Sequence, residues 1–262
     1  WLDNNLGGGF LEAGKSLYVF AGETNIGKSI FLGNIAHNIA KEGKNVLLVT
    51  LEMSELLYAR RICTNVTKVP MKELVGNTPA IKQAIKDEKG KIFIKEFPPS
   101  TITPSQLKGF IKKFKEQGIE LDAIVLDYLN LMHSTMGNNS YERIKHVTEQ
   151  VRAMSYLFGC PIISATQLNR AGFDQDNPDL ATISESIGLA ATADVICSIY
   201  QNEEDRELGI IRLGMMKNRY GPRGNTQAMR INYSTLTIEE ADDIEFDDDS
   251  DDTFNALAGL AS

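Results

Sequence analysis

Gly22-Glu23-Thr24-Asn25-Ile26-Gly27-Lys28-Ser29 satisfies the pattern G-x-x-x-x-G-K-[ST] at every fixed position. Upstream, Leu17-Tyr18-Val19-Phe20-Ala21 is an unbroken apolar run that reads as a buried strand. Downstream, Ile30, Phe31, Ile35 and Ile39 fall on one face of a helix over 29–41. Strand, glycine loop and helix are the context in which this motif works, and a chance glycine-rich turn lacks it. The glycines let the backbone wrap a phosphate chain, while the helix start adds oriented N–H groups and a partial positive charge. Gly22, Glu23, Thr24, Asn25, Ile26, Gly27, Lys28, Ser29 and Ile30 are therefore the candidate cradle for ATP or another nucleoside triphosphate. Lys28 can reach the β- and γ-phosphates, and the Ser29 hydroxyl can hold Mg²⁺.

Working outward, three more strands end in polar groups. A strand over 44–51 is followed by Glu52-Met53-Ser54-Glu55, with Ser54 able to cap a helix over 55–66. Ligands of open α/β sheets bind at the carboxyl ends of the strands. Glu52 there is either a carboxylate that polarises the attacking water or a solvated acid at a helix start. Ala123-Ile124-Val125-Leu126-Asp127 is a fully apolar run ending in an acid, hence a central strand of a parallel sheet. Many buried strands end in Asp, but paired with the upstream loop this one reads as the strand whose Asp127 holds Mg²⁺. The strand over 161–167 ends at Gln167, whose amide can hydrogen-bond the γ-phosphate or the attacking water.

The remaining chain punctuates as follows. Residues 1–16 are a glycine-rich lead-in or linker, read as flexible, with a packed Trp1 or Leu2 as the alternative. Short helices broken by Gly76 and Pro79 fill 70–90, a strand occupies 91–97, and a lysine-rich amphipathic helix follows over 103–117. Its Lys108, Lys112, Lys113 and Lys115 read as a solvated face. Residues 130–140 are polar and mobile in expectation, and 141–158 form a long helix. A long loop begins at 168, and loops of that length within compact domains are usually functional or disordered. A short helix over 184–193 comes next. Two strands, 194–200 and 210–216, are joined by an acidic turn, and the second runs into the basic loop Lys217-Asn218-Arg219-Tyr220-Gly221-Pro222-Arg223-Gly224. A terminal hairpin over 229–238 closes the sheet.

Composition bounds the rest. The chain has 262 residues, enough for one α/β domain with appendages, and 42% apolar residues support a substantial core. No apolar run reaches the roughly 18 residues of a membrane span. The first residue is Trp1, with no signal-peptide pattern, which reads as a fragment of a longer protein. Cys63, Cys160 and Cys197 sit apart in apolar surroundings, as in a reduced cytoplasmic protein. The net charge of −8 conceals two parts. Residues 239–262 carry ten acids and no Lys or Arg, so residues 1–238 hold 25 acids against 27 bases. A near-neutral body of about +2 neither requires nor excludes nucleic acid. The acidic tail reads as disordered, with a short apolar terminus at Phe254, Leu257 and Leu260. It suits either docking to a partner or keeping the chain soluble and off stray DNA.

In order, Gly22–Ser29, Leu51-Glu52-Met53, Ile124–Asp127, Gln167-Leu168-Asn169-Arg170, Ser184-Glu185-Ser186 and Lys217-Asn218-Arg219 resemble the motor domain of DnaB-type hexameric replicative helicases, in particular those of T-even-like phages. The resemblance covers about 10–238. It implies a RecA-like P-loop NTPase core over 17–238: an α/β fold with a mostly parallel central sheet, helices on both faces and a C-terminal β-hairpin extension. It implies ATP hydrolysis with Mg²⁺ at the subunit interfaces of a ring of six, driving translocation on single-stranded DNA and duplex unwinding. Glu52 then matches the catalytic glutamate and Gln167 the γ-phosphate sensor. Lys217 and Arg219 match the basic pair that reaches a neighbour's nucleotide; without the resemblance they read as a solvated basic turn. Two pore loops, about 168–182 and 184–188, imply DNA contact through Asn169, Arg170, Ser184, Glu185, Ser186 and Gly188. Ser184 stands where bacterial members carry an arginine. The family's N-terminal domain lies outside these 262 residues, implying a monomer or open filament in isolation. The tail partner implied is a primase, helicase loader or polymerase, and the location is the cytoplasm, that of the host for a phage protein. A RecA-like recombinase shares this core but is expected to differ in its pore loops and to lack the Lys-x-Arg loop; an ATP-binding interaction module is the non-motor alternative.

Overall fold

The computed structural model describes residues 1–10, 14–137, 139–168, 180 and 187–241. A nine-stranded sheet runs through the molecule in the order β3-β2-β4-β5-β1-β6-β7-β8-β9. The strands are β1 Leu17–Gly22, β2 Asn45–Thr50, β3 Lys91–Glu96, β4 Ala123–Asp127, β5 Ile162–Gln167, β6 Val195–Tyr200, β7 Ile210–Asn218, β8 Thr226–Asn232 and β9 Thr237–Glu240. The first six are parallel to one another, and β6 to β9 pair antiparallel. β1, β4 and β6 are buried along their whole length, the pattern of strands covered on both faces.

The helices are α1 Leu2–Asn5, α2 Lys28–Lys41, α3 Glu55–Thr67, α4 Thr78–Asp87, α5 Pro104–Glu116, α6 Ser140–Phe158, α7 Ile187–Thr192 and α8 Glu203–Leu208. One face of the sheet packs Leu17, Leu47, Leu126 and Ile162 against Leu107 and Ile111 of α5 and Val147, Val151 and Met154 of α6. The other packs Phe20, Leu48, Val125 and Ile163 against Phe31, Leu32 and Ile35 of α2 and Tyr58 and Ile62 of α3. Ser54 caps α3 by accepting from the Leu57 N–H, as expected. A capping box of Thr103 and Gln106 starts α5, whose four lysines are exposed.

Four expectations change. The lead-in is packed: Leu6 is buried, and the Phe10 ring lies edge-on to Tyr18 at 4.8 Å. Pro79 sits in the first turn of α4, where its missing N–H costs nothing, and therefore opens that helix. The segment after β4 makes a short helical turn with Leu129 and Met132 buried, so its start is anchored. The acidic connector between β6 and β7 is α8, started by a capping box of Asn202 and Asp205. Asp205 also binds Arg212 of β7 through both oxygens, at 2.7 and 2.8 Å. Cys160 and Cys197 are buried free thiols and Cys63 is a half-buried one.

Candidate nucleotide-hydrolysis site

The loop after β1 forces its own residue types. A Cβ at position 22 would lie 2.8 Å from Ile26 and 3.0 Å from the Ile199 carbonyl, so Gly22 is required by close approach. Gly27 has φ +100° and Asn25 φ +67°, a left-handed pair that glycine and asparagine tolerate best. The chain then enters α2 at Lys28, whose ammonium donates to the carbonyls of Gly22 at 3.0 Å and Glu23 at 2.6 Å. Burial lowers the Lys28 pKa, and the fields of Glu52, Asp127 and Glu23 oppose that shift.

β2, β4 and β5 bring the other polar ends to this loop. Gly22 is in register with Gln167, and Thr50 with Asp127. The Gln167 amide donates to Thr24 Oγ1 at 2.7 Å, which ties the end of β5 to the loop. The Leu51 N–H donates to the Asp127 carbonyl at 2.7 Å, extending the β2–β4 pairing by one residue. The Thr50 hydroxyl then closes a tight turn, accepting from the Met53 N–H at 3.0 Å and donating to its carbonyl at 2.9 Å. That turn holds Glu52 out at the sheet edge, exposed and beside the field of Lys28. Ser164 Oγ bridges the Leu126 carbonyl and the Leu129 N–H, fixing the chain around Asp127.

Asp127 carries the strongest signal. Its side chain is 1% exposed, and neither carboxylate oxygen has a hydrogen-bond partner. Ser29 and Tyr58 are close enough for their hydroxyls to influence it, but with neither does it close a hydrogen bond of good geometry. Burial raises its pKa above the usual carboxylate range, against the influence of Ser29. A buried carboxylate without donors is costly unless a cation compensates it. Ser29 and Asp127 offer hard oxygen donors of the kind that suits a small divalent cation carrying a triphosphate. Lys28, Ser29, Glu52, Asp127 and Gln167, far apart in sequence, thus converge on one edge of the sheet.

Lys217 and Arg219 lie at the opposite edge. Val195 pairs with Asn218 at the start of β6, whereas the loop leaves β1 opposite Ile199. A strand of this length spans about 17–20 Å, so neither residue can reach the loop of its own chain. Lys217 donates to the carbonyls of Ala190 at 2.7 Å and Ala191 at 3.1 Å, at the end of α7. Arg219 donates to Asp194 at 2.7 Å. Asp194, 1% exposed, also accepts from Arg152 of α6 through both oxygens at 2.9 Å and from the Leu17 N–H at 3.0 Å. The Arg219 side chain stays half exposed.

Asn169, Arg170, Ser184, Glu185 and Ser186 lie outside the described residues. Gly188 is buried, and a Cβ there would lie 2.7 Å from the Lys145 side chain, so it packs closely between α6 and α7. The Asp194–Arg152 seat and buried Tyr58 were not singled out in the sequence. The signal available for Tyr58 was the apolar face of α3, where a buried phenol needs a hydrogen-bond partner. Among the described residues no cluster of His, Cys, Asp and Glu forms a metal cage, and no helix is long and apolar enough to cross a membrane.

A central parallel sheet with antiparallel C-terminal strands, helices on both faces and a phosphate-type loop after β1 defines a RecA-like P-loop NTPase core. The family model described as DnaB-like helicase C terminal domain matches residues 2–237, and the chain belongs to that family. It is 26% identical to the DnaB-like replicative helicase of Enterobacteria phage T4 over 98% of this chain and 56% of that protein. It is 30% identical to the replicative DNA helicase DnaB of Buchnera aphidicola over 80% of this chain and 48% of that one. The chain thus spans about half the length of the relatives it matches. Among solved structures, one described as an ATPase domain superposes with a TM-score of 0.79 at 19% identity, covering 92% of this chain and 89% of that one. A DnaB-like replicative helicase, solved in a study of its interactions with primase, superposes with a TM-score of 0.76 at 18% identity, covering 87% of this chain and 58% of that one.

Proposed function

We propose that this chain is the ATP-hydrolysing motor of a replicative DNA helicase, working between neighbouring subunits of a hexameric ring on single-stranded DNA. The observation that carries the reading is the division of charge between the two sheet edges. Lys28, Ser29, Glu52, Asp127 and Gln167 gather at the carboxyl edge, and the basic pair lies at the amino edge, Lys217 half-buried on the Ala190 and Ala191 carbonyls and Arg219 half exposed on Asp194. A head-to-tail ring joins one edge to the other.

The roles follow from chemistry. The backbone N–H groups of the loop and the start of α2 bind the β- and γ-phosphates, with the Lys28 ammonium turned from the Gly22 and Glu23 carbonyls onto phosphate oxygens. Ser29 and Asp127 would hold Mg²⁺, which when bound would neutralise negative charge on the triphosphate. Glu52, exposed at the edge, accepts the proton of the attacking water. Gln167, released from Thr24, orients that water or the γ-phosphate. Lys217 and Arg219 of a neighbour supply cationic charge to the transferring phosphoryl group. Asn169, Arg170, Ser184, Glu185 and Ser186 would track the DNA backbone, giving sequence-independent binding. A primase, loader or polymerase is the partner class for the acidic tail.

The test is ATP-dependent separation of a forked DNA duplex, alongside ATP turnover with and without single-stranded DNA. The motor reading expects DNA-stimulated turnover and strand separation. Strand exchange without unwinding would favour a recombinase, and nucleotide binding indifferent to DNA would favour an interaction module.

A further inference from the structure

The hydroxyl of Tyr58 lies under the nucleotide loop with no place in the roles above. α3 starts at its Ser54 cap beside Glu52 and packs along α2. Gly33 of α2 faces it: a Cβ there would meet Tyr58 Cε1 at 3.7 Å and Ile62 Cδ1 at 3.4 Å, ordinary contact distances. The Tyr58 side chain is completely buried, and its hydroxyl donates to the Ser29 carbonyl at 3.0 Å. A phenol has one proton. Given to Ser29, it leaves both buried oxygens of Asp127 without a partner. The same hydroxyl thus pins the peptide of one candidate cation ligand and leaves the other ligand open.

We propose that Tyr58 is a positioning residue for the magnesium–nucleotide complex: its hydroxyl anchors the first turn of α2 at the Ser29 carbonyl and so fixes the Ser29 hydroxyl against the Asp127 carboxylate. The proposal rests on the reading of Ser29 and Asp127 as the groups that hold Mg²⁺. Groups behind the ligands commonly change metal affinity by about 10–100-fold when removed. Tyr58→Phe keeps the ring that fills the space beside Gly33 and removes only the hydroxyl.

The test is equilibrium binding of a fluorescent ATP analogue to the full chain, wild type and Tyr58→Phe, with Mg²⁺ and with EDTA. A Mg²⁺ titration at fixed nucleotide accompanies it. The proposal expects unchanged affinity in EDTA, affinity weakened about tenfold in Mg²⁺, and a half-saturating Mg²⁺ concentration raised by a similar factor. Equal affinity of the two proteins under both conditions would overturn it and leave Tyr58 a packing residue. Equal weakening with and without Mg²⁺ would also overturn it, assigning the hydroxyl to loop shape. A wild-type protein whose binding gains nothing from Mg²⁺ would instead overturn the assignment of Ser29 and Asp127.

Discussion

The two edges of this sheet treat buried acid in opposite ways. At the carboxyl edge, Asp127 is buried and accepts no hydrogen bond. At the amino edge, Asp194 is equally buried but accepts two bonds from Arg152, one from Arg219 and one from a backbone N–H. Asp127 ends its strand and Asp194 precedes one, at opposite edges of the same parallel sheet. They differ in partnership as well as in place. An acid satisfied by its own chain builds structure, here a seat for a half-exposed arginine. An acid buried without donors is tolerated where a ligand completes it, and strain of this kind gathers at functional sites.

The largest effects should come from breaking the connection between the edges. Arg219→Ala should lower DNA-stimulated ATP turnover by about 10³–10⁵-fold while nucleotide affinity stays near wild type. Steady-state turnover with a parallel binding titration checks this; equal loss in affinity would place Arg219 outside the transition state. Glu52→Gln should follow, with turnover down about 10²–10⁴-fold and binding intact. A pH–rate profile unchanged in its acidic limb would remove Glu52 from the role of base.

One substitution made at both edges sharpens the contrast. Asp194→Asn should destabilise the chain by about 3 kcal/mol, because two guanidinium groups lose their shared charge. Asp127→Asn should do the reverse and stabilise it by about 1–2 kcal/mol at neutral pH, roughly 3–6 °C in Tm, while abolishing Mg²⁺-dependent turnover. The sign follows from the raised pKa of Asp127. Folding must then hold the ionised form at a cost above that pKa, so the gain from Asn grows as pH rises from the unfolded carboxylate range toward that pKa. It disappears as pH falls below the unfolded carboxylate range. Thermal melts at several pH values check both signs, and destabilisation by Asp127→Asn would show that the carboxylate has an internal partner after all.

What could be read in the chain before folding was the local part of this arrangement. Gly22–Ser29 and the polar residues Glu52, Asp127 and Gln167 that close apolar runs are local patterns, and parallel sheets gather such ends at one edge. The opposite edge was legible only by resemblance, since Lys217 and Arg219 have the composition of a solvated turn. The seat beneath them joins Leu17, Arg152, Asp194 and Arg219, residues scattered from the first strand to the seventh, and no period marks it. The acidic connector of Glu203, Glu204 and Asp205 has the composition of a solvated turn. The capping box and the Asp205–Arg212 pair make it a helix instead. Tyr58 was hidden for the same reason as the seat: its partner, Ser29, is 29 positions away.

On the proposed arrangement, the basic edge of one chain serves the nucleotide at the acidic edge of the next. Lys28→Ala retains the finger and loses the phosphate loop; Arg219→Ala retains the loop and loses the finger. Each alone should be nearly inactive in DNA-stimulated ATP hydrolysis. In randomly mixed rings, roughly a quarter of the interfaces pair an intact loop with an intact finger. Turnover of the equimolar mixture should accordingly rise to a substantial fraction of wild type, where sites that need no neighbour would leave it at the sum of the two inactive variants.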